Sequence, residues 1–294
     1  MASKTREKMT PVPVTRGSGE RILTQKLDWI EGTFKGENFV SLPQSLSHNF
    51  VETSGFHSYT SGERFEDGRM HLKNELRPEM GEHIIWSGEA CDNCPVDTVT
   101  LIQHLIDAKF SFTRIDMAID AINFKLRPQR ATKELKLERC KTRAKKSDRQ
   151  DDPRDVGYTQ YIGRKASEIY LRIYDKAAEM GVNADHTRIE LVVKGRRAEY
   201  AARQIVQSVD YRAMVRAYAD FPAWRQWRRI MDVKPIKLPS QRKETSTERW
   251  LLGTCAPALA RAVFLADSTG LYEKFTNAFL NNLKLLSDGE KTVH

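Results

Sequence analysis

Tyr174 lies between two cations, with Arg172 two residues before it and Lys176 two residues after it. On a continuous strand, residues two apart point to the same face, so we expect these three side chains to share one surface. A tyrosine hydroxyl can attack phosphorus, and nearby cations can bind a phosphate and favour the phenolate. The pattern predicts phosphodiester cleavage by Tyr174, assisted by Arg172 and Lys176. The alternative is a tyrosine that only packs in a sheet.

Three acidic residues are candidate ligands for a divalent ion. Cleavage of a phosphodiester develops charge on the leaving 3′-oxygen, which a divalent ion usually neutralises. Asp116 and Glu190 each follow an arginine by two residues, so cross-strand ion pairs are the alternative role. Asp28 could supply a third ligand if it points away from Leu27 and Trp29. Carboxylate oxygens without thiolates suit Mg²⁺ or Mn²⁺ better than zinc.

The elements that must position these groups are strands with one aliphatic face and one charged face. Strict alternation over Phe112–Ile122, Ile169–Lys176 and Arg188–Lys194 predicts three half-buried strands. Helices would cover the aliphatic side. We therefore predict an α+β fold, with an antiparallel-rich sheet, one open charged face, helices on the other face and a C-terminal helical segment. Alternation alone does not establish which strands are neighbours.

The remaining pattern predicts the organisation of the chain. We expect a flexible tail over residues 1–20, a catalytic domain over 21–220 and a basic linker with a helical module over 221–294. A first strand is predicted over Ile22–Phe34, and Asp97 is a predicted N-cap of a helix that reaches Lys109. Further helices are predicted over Ala131–Lys146, over 196–208, and as a pair within 249–286 that is split near 267–270.

The charge distribution indicates a polyanionic partner. The chain carries 48 Lys and Arg against 39 Asp and Glu, a net charge of +9. Eleven bases and three acids fall within residues 125–150, part of a basic insertion predicted over 125–155. Its helix could lie along DNA phosphates, and a solvated charged helix is the alternative. The candidate DNA contacts are Lys141, Arg143, Lys145, Lys146, Arg164, Lys165 and Arg188, with Trp224 and Trp227 as base-stacking residues.

Several classes of function are not supported by the sequence. It contains no run of eighteen apolar residues, and its N-terminal residues lack the apolar region of a secretory signal. Cys91 and Cys94 form half of a zinc motif, but Cys140 and Cys255 do not complete it. No phosphate-binding loop for ATP is present. These features, together with only four cysteines, predict a protein of a reducing cytosol that does not contact membranes.

Five segments of the chain occur in the order Asp28-Trp29, Ser87-Gly88, RIDMAID at 114–120, YIGRKASEIYLRIYDK at 161–176 and RIEL at 188–191. Together they resemble the replication initiation factor family of rolling-circle plasmids and filamentous phages. That family is related to relaxases of conjugative elements. The resemblance spans about residues 22 to 260. Many members have Gly-Ser-x-x-Ser where this chain has Gly163 to Ser167, so Arg164 departs from the pattern at its second position.

The resemblance implies a site-specific, metal-dependent nickase that joins its tyrosine to the 5′ end of the nicked strand. Tyr174 would be that tyrosine, and Asp116, Glu190 and Asp28 would hold the ion. The implied partners are a double-stranded origin, single-stranded DNA at the nick, a host helicase and a polymerase, with a homodimer left open. Two alternatives also stay open: a relaxase for conjugative transfer, and a repressor that keeps the fold without nicking.

Overall fold

Two units divide the chain at Pro239, one of Met1–Pro239 and one of Ser240–His294. The sequence placed this boundary nearer Asp220. The computed structural model describes residues 19–34, 49–73, 80–142, 144, 149–150, 157–238, 256–268, 271–274 and 276–278. Among these residues, no helix has the length and apolar character needed to cross a membrane.

One antiparallel sheet of ten strands dominates the described part of the first unit. Its order is β2-β3-β4-β5-β1-β6-β11-β10-β9-β8, and β7 pairs with β12 in a separate two-stranded sheet. The strands are β1 (Ile22–Phe34), β2 (Phe50–Ser54), β3 (Ser61–Phe65), β4 (Arg69–Lys73), β5 (Glu82–Trp86), β6 (Ser111–Ile122), β7 (Lys141–Thr142), β8 (Arg149–Gln150), β9 (Thr159–Ile162), β10 (Ile169–Asp175), β11 (His186–Lys194) and β12 (Ala219–Asp220).

Helices cover the aliphatic face of the sheet, so the predicted α+β fold is confirmed. The helices of the first unit are α1 (Gly88–Asp92), α2 (Thr98–Asp107), α3 (Pro128–Lys136), α4 (Lys176–Glu179), α5 (Arg196–Val206), α6 (Tyr211–Tyr218) and α7 (Arg225–Ile230). Ile115, Met117 and Leu191 are fully buried and share one core with Ile102 of α2 and Ala201 of α5. Each such side chain contributes about 1.5–3 kcal/mol by leaving water.

The predicted N-cap of α2 is confirmed. The carboxylate of Asp97 accepts hydrogen bonds from the backbone N–H groups of Val99 and Thr100, both at 3.0 Å. It thereby satisfies two of the donors that the first turn of a helix leaves open. The helix ends at Asp107, two residues before the predicted end at Lys109.

The basic helix is shorter than the sequence predicted. α3 ends at Lys136, and Glu138 has a positive φ of 55° that no α-helix continues. Lys141 then enters the short strand β7, where it lies opposite Asp220 of β12. The predicted helix is therefore wrong over residues 137–142, and its last charged residues, Arg143, Lys145 and Lys146, lie outside the described residues.

Trp224 and Trp227 are core residues, so their predicted role in stacking on DNA bases is wrong. Their side chains are only 2% and 0% exposed. The ring of Trp227 lies 4.9 Å from that of Phe221 and 5.8 Å from that of Trp224. This segment packs into the core of the first unit and does not form a linker.

Trp227→Ala is expected to destabilise the first unit by about 3–5 kcal/mol, because a large cavity remains where the indole was. Denaturant unfolding followed by circular dichroism measures this change. Arg228→Ala, on the exposed side of the same helix, is the control and should change stability by less than about 0.5 kcal/mol. Equal effects of the two substitutions would contradict the assignment of Trp227 to the core.

The second unit contains a helix, α8 (Ala256–Ser268), within the region predicted to be helical. Residues 272–274 and 276–278 are also helical. Residues 269 and 270, part of the predicted break, lie outside the described residues, as does the predicted tail up to residue 18.

Candidate active site

The central strands bring Tyr174, Arg172, Glu190 and Asp116 to one face. In the pairing of β10 with β11, Arg172 lies opposite Glu190 and Tyr174 opposite Arg188. In the pairing of β11 with β6, Glu190 lies opposite Ala118, two residues from Asp116 on the same face. Because β11 lies between β6 and β10, side chains far apart in sequence meet above three adjacent strands.

Ala118 lies between the acidic residues and gives them room. On β6 it separates Asp116 from Asp120, and it lies opposite Glu190 of β11. It is itself fully buried. A methyl group at this position leaves the space above it to the longer carboxylate side chains, so a larger residue would push them apart.

Asp28 reaches this face through a β-bulge. Leu27 pairs with Met117 and Trp29 with Asp116, so Asp28 is an extra residue without a partner in β6. Its Oδ1 lies 2.6 Å from Nη1 of Arg188. The bulge also turns Trp29 to the charged face, where the guanidinium of Arg114 lies 4.9 Å from its ring centroid. The expectation that Asp28 points away from Trp29 is therefore wrong.

A glycine follows Ser87 because the backbone at Gly88 lies close to the bulge at Asp28. A Cβ atom at Gly88 would lie 3.2 Å from Oδ1 of Asp28 and 3.4 Å from its carbonyl oxygen. The Ser87 hydroxyl accepts a hydrogen bond from the N–H of Ala90 and begins α1. The Ser87-Gly88 segment thus brings the backbone against Asp28 and restricts where its carboxylate can go.

Arginines neutralise the acidic residues, so the charged face is buried rather than open at this point. Nε and Nη2 of Arg114 donate to the two oxygens of Asp116 at 2.8 and 2.5 Å. Arg172 forms an ion pair with Oε1 of Glu190. Asp116 is 1% exposed and Glu190 0%. Buried carboxylates of this kind are stable only when charged partners compensate them.

Arg188 does not contact Glu190, its neighbour two residues along the strand, and it is not available to DNA. It is 4% exposed. Nε and Nη2 donate to the carboxylate of Asp120 at 2.7 and 2.8 Å, and Nη1 donates to Asp28. Although burial opposes it, hydrogen bonds from His186 and Arg188 hold the pKa of Asp120 far below its ordinary value. The predicted DNA contact by Arg188 is wrong.

Tyr174 donates its hydroxyl hydrogen to Oε2 of Glu190 at 3.3 Å. The guanidinium of Arg172 lies 5.3 Å from the Tyr174 ring centroid. Burial and the neighbouring Glu190 raise the pKa of Tyr174, and Arg172 and Arg188 lower it by less. Arg172 therefore favours the phenolate, as expected, but burial and Glu190 outweigh it and the pKa of Tyr174 stays above its ordinary value in the protein alone.

Lys176 is not on the strand that carries Tyr174. β10 ends at Asp175, and Lys176 begins α4, where its ammonium contacts Glu179 at 2.6 Å. The ammonium still lies 6.0 Å from the Tyr174 ring centroid. Its predicted place on the same strand face is wrong because Asp175 caps the helix that starts there.

Comparisons with known proteins give the family and the fold of this chain. The sequence model described as "Replication initiation factor" matches residues 110–267, more than half of the chain. The chain belongs to the replication initiation factor family. No curated protein matches this replication initiation factor significantly. A solved "Rolling Circle Replication Initiator Protein from Geobacillus stearothermophilus" is 23% identical, has a TM-score of 0.60, and shares its fold over 74% of this chain and 99% of that chain.

The acidic residues of this replication initiation factor have the donor chemistry for a hard divalent ion. Burial raises the pKa of Glu190 to about 7; Arg172 opposes this, and Asp116 and Asp28 raise the pKa further. Such crowding of carboxylates favours a bound cation. Within the described residues, no three His, Cys, Asp or Glu side chains are already grouped as a metal site. Oxygens of the three acids instead face arginines, and an ion would have to replace some of these contacts.

Sequence reasoning assigned no role to Asp120, Arg114 and His186, which complete the buried charge network of the family member. The sequence feature that could have revealed them is the repeated occurrence of charged residues two positions apart. It was used only for Asp116 and Glu190. Arg114 and Asp116 do pair within one strand. The partner of Arg188 depends on which strand adjoins β11, and alternation does not contain that information.

Proposed function

We propose that this protein is a site-specific single-strand DNA endonuclease and strand transferase that initiates rolling-circle replication through a 5′-phosphotyrosine at Tyr174. The observation that supports this most directly is the hydrogen bond of the Tyr174 hydroxyl to the buried Glu190, with Arg172 beside both. It occurs in a member of the replication initiation factor family. A nucleophile, a proton acceptor and a phosphate-binding cation are therefore in contact.

The proposed step balances with these groups. The Tyr174 hydroxyl gives its proton to Glu190 as its oxygen bonds to phosphorus. The bond to the 3′-oxygen breaks, and that oxygen takes a proton from water. Arg172 would turn from Glu190 to the scissile phosphate. Rejoining runs the same sequence backwards, with a 3′-hydroxyl as nucleophile and Tyr174 as leaving group.

Asp116, Glu190 and Asp28 would hold Mg²⁺ or Mn²⁺ when it is bound, and the ion would supply positive charge beside the leaving oxygen. Oε2 of Glu190 faces Tyr174, whereas Oε1 faces Arg172. The two oxygens thus have separate partners, and release of Arg172 would free one of them. The same movement would deliver Arg172 to the phosphate.

The activity is tested with supercoiled replicon DNA and Mn²⁺ or Mg²⁺, analysed on a denaturing gel. We expect a nicked circle and a protein joined to the 5′ end of the cut strand. Binding without any cut would favour the repressor alternative, and cutting only at a transfer origin would favour the relaxase. Acting on a replicon also implies a host helicase and a polymerase in the bacterial cytoplasm as partners.

Exposed bases on two neighbouring segments form a surface for duplex DNA, which we call the β7–α7 basic surface. Asp220 lies opposite Lys141 and lines one depression together with Arg228, so the two segments are neighbours. Among the exposed residues of 136–142 and 225–230, Glu138 is the single acid. The exposed bases are Lys136, Arg139, Lys141, Arg225, Arg228 and Arg229.

Replacing Lys141, Arg225, Arg228 and Arg229 together with alanine is expected to weaken origin binding and flatten its salt dependence. Each lost phosphate contact lowers the slope of log K against log salt by about 0.9. Fluorescence anisotropy at several salt concentrations measures this slope. Arg64→Ala with Lys109→Ala, two exposed bases elsewhere, is the control. An unchanged slope in the fourfold variant would remove this surface from the DNA interface.

Of the other predicted DNA contacts, two are exposed and three lie outside the described residues. Arg164 and Lys165 are exposed in the turn between β9 and β10, and they stay candidates for the single strand. Arg143, Lys145 and Lys146 lie outside the described residues, so the β7–α7 basic surface is defined without them.

A further inference from the structure

A pocket opens beside Tyr174 and is not used by the proposed cleavage step. Tyr174 and Arg172 form part of its wall. The rest of the wall comes from the segment that leads into β9 and from the start of α4. Its principal residues there are Tyr158, Thr159, Tyr161 and Asp175.

We propose that this pocket holds the base of a nucleotide next to the scissile phosphate and selects bases that carry an amino group. The proposal rests on the proposed function, since it takes Tyr174 as the nucleophile. A phosphate attacked by Tyr174 lies at the rim of the pocket. The base of an adjoining nucleotide is attached only one sugar away, which places it within reach of the pocket.

The walls suit a base because they combine aromatic rings with hydrogen-bonding groups. Tyr158 and Tyr161 offer ring surfaces, and single-stranded bases are held in proteins mainly by stacking on such rings. The Tyr158 hydroxyl is hydrogen-bonded to Oγ1 of Thr132, which also donates to Oε1 of Gln160 at 2.5 Å. This network fixes the Tyr158 ring, so the wall is formed before DNA arrives.

The carboxylates of the pocket favour donors on the base, whereas the guanidinium of Arg172 is paired with Glu190. Asp175 lines the pocket. Its Oδ1 accepts from the N–H of Ala178 at 3.0 Å and caps α4, so Oδ2 is the oxygen that the cap does not use. Glu179 also lines the pocket, with its Oε2 bound to the Lys176 ammonium at 2.6 Å, so only its second oxygen adds to the acceptors. Carboxylates accept from exocyclic amino groups such as N4 of cytosine. Thymine offers only its ring N3–H as a donor, and the carbonyl oxygens O2 and O4 on either side of it repel a carboxylate. Cytosine, adenine or guanine should therefore be preferred to thymine.

The experiment uses single-stranded oligonucleotides that contain the nick site, with each base or an abasic site at the two flanking positions. We expect an abasic site at one of these positions to lower kcat/KM about tenfold or more, and thymine there to be cleaved more slowly than the preferred base. Asp175→Asn keeps an N-cap residue but places an amide donor in the pocket. It should reduce or invert the preference against thymine by about tenfold.

Asp97→Asn is the matched control, because Asp97 caps α2 in the same way as Asp175 caps α4. It should leave the base preference unchanged. Equal cleavage of abasic and intact strands, or an unchanged preference in Asp175→Asn, would overturn the proposal. Affinity for the same oligonucleotides without divalent metal is a second measurement. If the wild-type protein binds with the predicted base preference but cuts nothing, the proposed function fails and the pocket assignment stands.

Discussion

Tyr174→Phe is expected to abolish nicking, with a loss on the order of 10⁴-fold or more, because the substitution removes the only atom that can form the covalent link. Folding should survive. The ring keeps its position under Arg172, and loss of the hydrogen bond to Glu190 costs about 0.5–1.5 kcal/mol. Binding of the origin should be unchanged, since the β7–α7 basic surface is untouched.

The measurement is covalent capture of 5′-labelled nicked DNA on a denaturing gel. Tyr170→Phe is the matched control, because Tyr170 lies on the same strand and face and is buried to the same extent, 7% exposed in both cases. It should keep most of the nicking activity. A labelled adduct with the Tyr174→Phe protein, or its loss with Tyr170→Phe alone, would assign the nucleophile to another tyrosine.

The strands of the site could be predicted from the sequence because their period of two is a local property. Alternation in β6, β10 and β11 assigned Ile115, Leu171 and Leu191 to the core, and all three are fully buried. The order of these strands is not local. β11 is the last of these three strands in the chain yet lies between β6 and β10, and that order decides that Arg172 meets Glu190.

Two errors have specific physical causes. A bulge adds one residue to β1 at Asp28, so the parity of the strand changes there and Trp29 turns to the charged face. The prediction that the two tryptophans stack on DNA bases was wrong, although their spacing already indicated a buried helix face. Trp224, Trp227 and Ile230 recur every three residues, which is one buried face of a helix, and Arg225, Arg228 and Arg229 lie on its exposed side.

The burial of the acidic residues could not be predicted from the sequence because it depends on arginine side chains closing over them. Arg114, Arg172 and Arg188 come from three strands and each reaches at least one carboxylate. The same contacts that make the charged face stable also keep its acids occupied. For such a site to act, its carboxylates have to release arginines and bind the metal ion, and the released arginines can then bind the substrate.

Glu190→Gln and Asp116→Asn are each expected to abolish nicking and to weaken binding of Mn²⁺ about 100-fold or more, since each removes a charged ligand from the proposed ion site. Glu190→Gln also removes the proton acceptor of Tyr174. Both replacements keep the size of the side chain, so the core beneath β6 and β11 should stay packed. Mn²⁺ binding is measured by electron paramagnetic resonance without DNA, which separates metal affinity from activity.

Asp120→Asn is the matched control for these substitutions. Asp120 lies on the same strand and face as Asp116, but its carboxylate is held by Arg188 and His186. Its replacement should lower stability, because Arg188 loses a buried charged partner, while the affinity for Mn²⁺ changes less than in the other two variants. If all three variants bind Mn²⁺ like the wild type, the carboxylates serve only to hold the arginines, and the ion site lies elsewhere.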